Sequence, residues 1–224
     1  MTTPYSITIT MDQNTVVALQ SGGFALYGFK GVQTTLQCGA PLVWIQSRQF
    51  SLETQISWTE KYQAYTSKNE IIPNGQILAS AAYNIDLNQT LDVTSPAGTG
   101  QVVTGGTKNA ISVRNQTTTQ FTSGISQVNS STNTATPLCA FPLYGLGLDV
   151  IAPIQLVMLE FATAAVNTGT VIFQAFSQAA LVDLTTESQV PVSFNINQGW
   201  AAGGNPNVKF FPPGTNIAPL LLRA

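Results

Sequence analysis

The first residues of the chain alternate between apolar and polar side chains. The apolar positions are Tyr5, Ile7, Ile9 and Met11, and the polar ones are Ser6, Thr8 and Thr10. Because successive side chains of a strand point to opposite faces, this spacing predicts a strand with one wet face. Comparable runs predict strands at Phe24–Val32, Leu42–Ile45, Gln55–Trp58, Tyr62–Thr66, Tyr83–Leu87, Ala110–Val113, Thr119–Ile125, Val150–Leu159, Thr170–Phe176 and Val190–Asn195.

Glycine-rich pairs separate these runs and predict turns. They are Asn74-Gly75, Gly22-Gly23, Gly105-Gly106 and Gly203-Gly204. Helical periodicity is scarce, and only Thr163–Val166 suggests a helical turn. The pattern therefore predicts an all-β chain folded as an antiparallel β-sandwich of jelly-roll-like type.

Two short segments recur in the same order along the chain. CGAPLVW at Cys38–Trp44 is similar to CAFPLYG at Cys139–Gly145, and YQAYTS at Tyr62–Ser67 is similar to FQAFSQ at Phe173–Gln178. One interpretation is a duplication, with residues 1–100 and 101–224 as two similar β halves packed as one compact unit. The other is chance, since aromatic and small residues are common in this chain.

The chain carries unusually little charge. Charged residues make up 8% of the sequence, whereas about 25% is typical of soluble domains. The net charge of -2 gives little self-repulsion, which favours self-association into a homo-oligomer. The eight Lys and Arg residues are scattered along the chain, which argues against nucleic acid as a partner.

The N-terminal segment Met1–Thr10 has no basic region followed by an apolar one. We therefore expect a cytoplasmic protein, or one exported without a classical signal peptide. The chain has no apolar run long enough for a transmembrane helix. Membrane binding is not excluded, because the charge-poor region Gly98–Pro137 could form a loop, an ordered arm or a membrane-crossing hairpin.

Histidine is absent, which removes most acid–base, triad and zinc chemistry. The remaining candidates are pairs of carboxylates, Glu53 with Glu60 and Asp183 with Glu187, in the manner of a glycosidase. We predict a non-enzymatic protein with no catalytic residues, no metal site and no cofactor. Cys38 and Cys139 are predicted to be free buried thiols, with one long-range bridge as the alternative.

The aromatic residues offer a different kind of site. Trp44 and Trp58 lie in apolar or alternating runs and are predicted to be core residues. Trp200 follows Gly199 beside a glycine-rich turn, so it is the tryptophan for which exposure is most expected. Four asparagines near it, Asn195, Asn197, Asn205 and Asn207, complete a candidate ligand-binding site for a neutral carbohydrate.

In composition the chain resembles lectins, capsid-type jelly rolls and β-pore-forming toxins, although no diagnostic motif accompanies the resemblance. The leading hypothesis is a self-associating β-sandwich that acts in assembly or as a binding surface. The alternatives are a lectin-like carbohydrate-binding module and a pore-forming or membrane-binding protein.

The C-terminal segment is more apolar than a chain end usually is. Three consecutive leucines, Leu220–Leu222, require cover on both faces of an extended chain. Pro212, Pro213 and Pro219 argue against a helix here. We expect the leucines to close the seam between the two halves or to form a subunit contact.

Overall fold

The computed structural model describes residues 4–36, 38–129 and 133–224. It is mostly β, with 53% of residues in strands and 6% in helices. The strands are β1 (Tyr5–Thr10), β2 (Ala25–Thr34), β3 (Ala40–Pro41), β4 (Ile45–Ser47), β5 (Glu53–Ser67), β6 (Ala81–Ile85), β7 (Gln89–Val93), β8 (Gly100–Thr104), β9 (Ile111–Asn115), β10 (Phe121–Asn129), β11 (Ala135–Pro137), β12 (Cys139–Leu143), β13 (Leu148–Ala162), β14 (Ala179–Asp183), β15 (Gln189–Asn195), β16 (Gly199–Ala201), β17 (Val208–Phe211) and β18 (Leu222–Arg223). The helices are α1 (Gln13–Ser21) and α2 (Ala218–Leu221).

These strands form two sheets that pack together. The first has the order β16-β15-β1-β5-β10-β12-β3, with β6 paired to β5 and β11 paired to β10. The second has the order β17-β14-β13-β9-β7-β8, and β2 pairs with β13, β4 and β18. The all-β class predicted from the alternation is therefore confirmed.

The expectation of antiparallel sheets holds only in part, because both sheets are mixed. Strand β1 pairs with β15 in parallel, and so do β7 with β9 and β2 with β18. Each parallel pair joins strands that are not consecutive in the chain, so a connecting segment can return the chain to the same end of the sheet. The alternation of apolar and polar residues predicts which face of a strand is buried, but it does not predict which strand pairs with it or in which direction.

The main core lies between the sheets and takes side chains from both. Ile7 and Ile56 from the first sheet meet Leu26 and Val157 from the second in one cluster of buried residues. Alternate positions of β2 face the other way, where Tyr27 and Phe29 enter a second buried cluster. Strand β2 is therefore buried on both faces, which explains its nearly continuous apolar sequence.

Both sheets contain strands from residues 1–100 and from residues 101–224. The two hexapeptides that suggested a duplication lie in different local structures. Tyr62–Ser67 is the end of β5, whereas Phe173–Gln178 lies outside the named strands. Their similarity therefore does not mark equivalent strands, and the division into two similar halves stays a prediction.

Two predicted strands, Leu42–Ile45 and Thr170–Phe176, are largely absent. Isolated β-bridges connect these segments to their neighbours instead. Leu42 pairs with Val171, Gln76 with Thr170 and Gln174 with Asn216. Consequently Thr170–Phe176 forms no strand, although Thr170–Ile172 and Ala175 are buried. Apolar content predicted burial here, but it could not predict whether a partner strand was available.

Helix α1 was not predicted. Its N-cap is Asp12, whose Oδ1 accepts a hydrogen bond from the Thr15 amide at 2.7 Å. Val16 and Leu19 bury one face of the helix. The expected helical turn at Thr163–Val166 is absent. Among the residues described, no helix is long and apolar enough to cross a membrane.

Most of the described part of the charge-poor region Gly98–Pro137 lies in strands, which are joined by short turns. It contributes β8 and β9 to the second sheet and β10 and β11 to the first. Strand β10 lies between β5 and β12, and its residues 121–127 are all buried. A membrane-crossing hairpin made from this region would have to leave an intact sheet.

The C-terminal segment forms a short helix despite its prolines. Pro219 lies in the first turn of α2, where its missing amide hydrogen is not needed. Ile217 and Leu221 are fully buried against the outer face of the second sheet, and Leu222 pairs with β2. The segment therefore covers that sheet from outside, and the expectation that its leucines close a seam between the halves or form a subunit contact stays a prediction.

Leu221→Ala should lower the free energy of unfolding by about 2–5 kcal/mol, because it removes a fully buried leucine. Leu220→Ala is the matched control in the same helix, and since Leu220 is only half-buried the loss should be smaller. Urea unfolding of the two variants measures both effects. Equal losses would show that the tail is not seated as described.

Candidate functional site

The predicted carbohydrate site does not present its aromatic ring. Trp200 is 5% exposed and stacks on Phe161 at 5.5 Å between ring centroids, with Phe194 at 5.0 Å. Its Nε1 donates to the Gln178 carbonyl oxygen at 3.0 Å. Trp200 is the least buried of the three tryptophans, yet its ring is a core element and not a stacking platform.

The four predicted asparagines lie in or beside the turns around this tryptophan. Asn195 Oδ1 accepts from the amides of Asn197 and Gln198, and its Nδ2 donates to Asp12 Oδ2. Asn205 Oδ1 accepts from the Asn207 amide at 2.9 Å. The side chains of Asn195 and Asn205 therefore bind their own backbone, as turn asparagines do. The geometry accounts for the cluster without a ligand.

A lysine that lies outside the predicted site is found in the core. Lys30 is in β2 on the face of Leu26 and Val32, and it is only 1% exposed. No carboxylate of the described residues lies within ion-pair distance of its amine. A lysine is almost never fully buried unless it is paired, so this position calls for a chemical explanation.

The Lys30 amine is enclosed by two tryptophans. Nζ lies 4.2 Å from the ring centroid of Trp58 and 5.3 Å from that of Trp44. The two rings meet edge to face at 5.5 Å, and Tyr5 stacks on Trp58 from outside. Trp44 and Trp58 are both fully buried, as predicted.

The polar atoms around this amine converge on Gln155. Its Oε1 accepts from Trp58 Nε1 at 3.1 Å and from Lys30 Nζ at 3.4 Å. Its Nε2 donates to Glu60 Oε1 at 2.9 Å. Gln155 lies where the register between β13 and β2 shifts, between Pro153 and Val157. This irregularity lets its side chain reach into the site.

We call Lys30, Trp44, Trp58, Glu60 and Gln155 the amine cluster. Two of its residues are positioned by β5, which runs without a break from Glu53 to Ser67. Trp58 and Glu60 are two residues apart on β5 and share its inner face, while Lys30 and Gln155 come from the opposing sheet. The sequence feature that points to this cluster is Lys30, which occupies an inward position in β2, a strand with no solvent-exposed face.

Further polar atoms near the amine cluster lack partners. Tyr62 Oη lies beside the side-chain amides of Gln155 and Gln127, yet within the described residues it makes no hydrogen bond of normal geometry. Gln127 Oε1 is also buried without a partner. An interior with unpaired polar atoms is costly for stability alone, so the region is a candidate for chemistry.

Burial controls the protonation of this cluster. It lowers the pKa of the Lys30 amine well below the ordinary value, and the charge of Glu60 only partly opposes that effect. Burial likewise raises the pKa of the Tyr62 hydroxyl, with a further contribution from Glu60. Burial therefore favours the neutral, nucleophilic form of the Lys30 amine over its charged form.

Other predicted chemical groups are not brought together. Glu53 and Glu60 are seven residues apart on β5 and so point to opposite faces. Both cysteines are free: Cys139 is buried, with a pKa raised to about 12 by desolvation, whereas Cys38 is exposed, contrary to expectation. Within the ranges that the structure describes, His, Cys, Asp and Glu form no group that could hold a metal ion.

A second surface feature is the tip between β12 and β13, which we define as residues 144–148. Tyr144, Leu146 and Leu148 are 60%, 71% and 54% exposed. The backbone is nevertheless held firmly, since the Leu146 amide donates to the Thr117 carbonyl at 2.8 Å and the Gly147 amide to that of Tyr144 at 3.0 Å. Three large apolar side chains in five residues make an exposed patch.

Leu146 adopts φ +58°. This left-handed conformation costs a residue with a Cβ roughly 1–2 kcal/mol relative to the usual one. Gly145 is required beside it, because a Cβ there would lie 2.5 Å from the Thr118 carbonyl oxygen. The backbone strain and the solvent exposure of Leu146 both raise the free energy of a chain that has no partner at this tip.

Comparison with protein-family models, with curated proteins and with solved structures found no match for this chain.

Two buried carboxyl groups lie apart from the amine cluster. Glu160 is fully buried; its Oε2 accepts from the Ser177 amide at 3.0 Å, and desolvation raises its pKa to about 7. Asp149 accepts from the Ser123 hydroxyl, and desolvation raises its pKa to about 6. A raised pKa means that the folded state binds the proton more tightly. The resulting stabilisation is complete at acid pH, below the ordinary carboxyl range, and is lost as the pH rises through 6 to 7.

Trp200→Ala should lower the free energy of unfolding by about 3–5 kcal/mol, because it removes a buried aromatic from a packed stack. Trp200→Phe keeps an aromatic ring but loses the Nε1 donor, so its loss should be smaller. Denaturant unfolding measures both variants. Unchanged stability in Trp200→Ala would contradict the buried position.

Glu160→Gln should become more stable relative to the unsubstituted chain as the pH rises. Near pH 3 the carboxyl is neutral in both states, whereas near pH 8 its ionisation destabilises only the unsubstituted chain, by about 3 kcal/mol. Urea unfolding across this pH range measures the difference, and Glu53→Gln on the surface is the control. A pH-independent difference would contradict the burial of Glu160.

Proposed function

We propose that this chain is a non-enzymatic, self-associating β-sandwich protein of jelly-roll-like type that acts in assembly or as a binding surface. The 144–148 tip is the proposed contact, and a second copy of the chain is its partner. The observation that carries the proposal is Leu146, which is both strained and the most exposed of the tip's large apolar side chains. Neither property benefits a monomer, whereas a contact that buries the side chain would offset both.

Charge supports a second copy as the partner. No charged residue occurs between Arg114 and Asp149, so the tip and the loop containing Thr117 and Thr118 are neutral. Two such surfaces can meet without burying an unpaired charge. The net charge of -2 also provides little long-range repulsion between copies.

A membrane is the second candidate partner for the same tip. A tyrosine and two leucines at a tip whose backbone is held by hydrogen bonds are side chains that insert at a lipid interface. The tip offers no cationic side chain to attract anionic lipids, so we favour protein contact. The carbohydrate alternative has less support, since the Trp200 ring is packed against Phe161.

Leu146→Asn tests the contact directly. Asparagine tolerates the left-handed conformation and is polar, so the variant should fold at least as stably and lose self-association. The control is Leu78→Asn, which changes another leucine that is more than half exposed and lies outside the tip. Size-exclusion chromatography with light scattering at tens of micromolar protein measures the mass of each.

The apolar nature of the contact predicts that association persists in high salt, where surface ion pairs are screened. A monomeric unsubstituted chain would contradict the proposal, as would Leu146→Asn assembling normally. If the monomer instead floats with neutral phosphatidylcholine vesicles and Leu146→Asn does not, the tip is a membrane contact.

A further inference from the structure

The amine cluster has a consequence that does not depend on self-association. Lys30 is 1% exposed, so an external substrate cannot reach its amine. Any reaction of this nucleophile must therefore be with a group of the chain itself. The amine donates a hydrogen bond to a side-chain carbonyl group, the carboxamide of Gln155. The distance from Nζ to Oε1 is 3.4 Å.

We propose that Lys30 and Gln155 condense into an intramolecular isopeptide bond, which links β2 to β13 and releases ammonia. The residues are 125 positions apart in sequence, and their strands are neighbours in the second sheet. The site is thus a self-modification site and not a site of turnover.

The nucleophile is prepared by its surroundings. A lysine amine attacks a carbonyl only when it is neutral, and removal from water disfavours its charged form. The rings of Trp44 and Trp58 restrict Nζ to one small region beside Gln155. Such confinement replaces a bimolecular encounter, for which effective molarities of about 10⁵–10⁸ M are known.

The electrophile is polarised by Trp58. Its Nε1–H already donates to Gln155 Oε1 at 3.1 Å. When the amine adds to the carboxamide carbon, the C=O electron pair moves to Oε1, and the negative charge that develops there is the one this donor stabilises. Trp58 is fully buried, so water does not compete for its N–H group.

Glu60 completes the proton transfers. Its Oε1 accepts from Gln155 Nε2, which is the atom that must leave. The carboxylate takes a proton from the attacking Nζ after the C–N bond forms, and it returns that proton to Nε2. The C–Nε2 bond then breaks and the carbonyl re-forms. One amine and one carboxamide give one secondary amide and one NH₃, with no change of oxidation state.

The test is the intact mass of the purified full chain after incubation at neutral pH, measured under denaturing conditions. The linked chain should be lighter than its sequence by one ammonia molecule. Trypsin does not cut after a modified lysine, so residues 1–48 and 115–209 should appear as one joined peptide pair. Fragment spectra should place the bond between Lys30 and Gln155.

The variants assign the roles. Lys30→Met removes the nucleophile and should show no loss of mass. Glu60→Gln is nearly isosteric at a half-buried position and should also remain unlinked. Trp58→Phe keeps the aromatic packing but should slow linkage by roughly 10²–10³-fold, because it removes the donor to the oxyanion. Lys61→Met, on the exposed face of β5, is the control and should link normally.

An unsubstituted chain of full sequence mass after prolonged incubation would overturn the proposal. A mass loss that maps to Asn74-Gly75, where succinimide formation also releases ammonia, would overturn it as well. Linkage that persists in folded Glu60→Gln, as judged by circular dichroism, would refute the proton-transfer step. Should that variant not fold, unchanged linkage kinetics in Trp58→Phe would contradict the mechanism, and clearly slowed kinetics would support it.

Discussion

The burial of β2 on both faces is the constraint on which the rest of the structure depends. Its outward side chains, Tyr27 and Phe29, need a cover, and the C-terminal segment supplies part of it through Ile217 and Leu221. Its inward side chains face the first sheet, so Lys30 has no route to water. Desolvation makes a charged amine costly at this position, which favours the neutral form of Lys30. Docking of the tail and the chemistry of the amine cluster both follow from this strand.

The all-β class could be predicted from local sequence patterns, because the alternation of apolar and polar residues shows which face of a strand is buried. Tyr5–Met11 alternates and forms β1, a central strand of the first sheet. The pattern failed where a tertiary partner or a capping contact decides the outcome. Helix α1 depends on the Asp12 cap, and the Asp-x-x-Thr spacing was a usable signal for it. Thr170–Phe176 is apolar enough for a strand but has only bridging partners.

The candidate site was harder to predict than the fold. Trp200 stands beside glycines in sequence, and only the tertiary structure brings Phe161 and Phe194 to its ring. Lys30 could have been noticed, because it occupies an inward position in a strand with apolar residues on both faces. Gln155 could not, since its direction depends on a register shift against β2 that no local pattern encodes.

The absence of histidine excludes less chemistry than it first suggests. It removes the usual proton carrier of an enzyme that must return to its starting state after every turnover. A group that reacts once needs only a neutral amine, a polarised carbonyl and a carboxylate at the leaving atom. Lys30, Gln155 and Glu60 provide these three in a chain with very few charged residues. The same scarcity of charge leaves Arg114–Asp92 as the ion pair of the described residues, so cohesion rests on burial and on neutral hydrogen bonds. In such a chain a covalent link between neighbouring strands would reinforce a fold that has little electrostatic support.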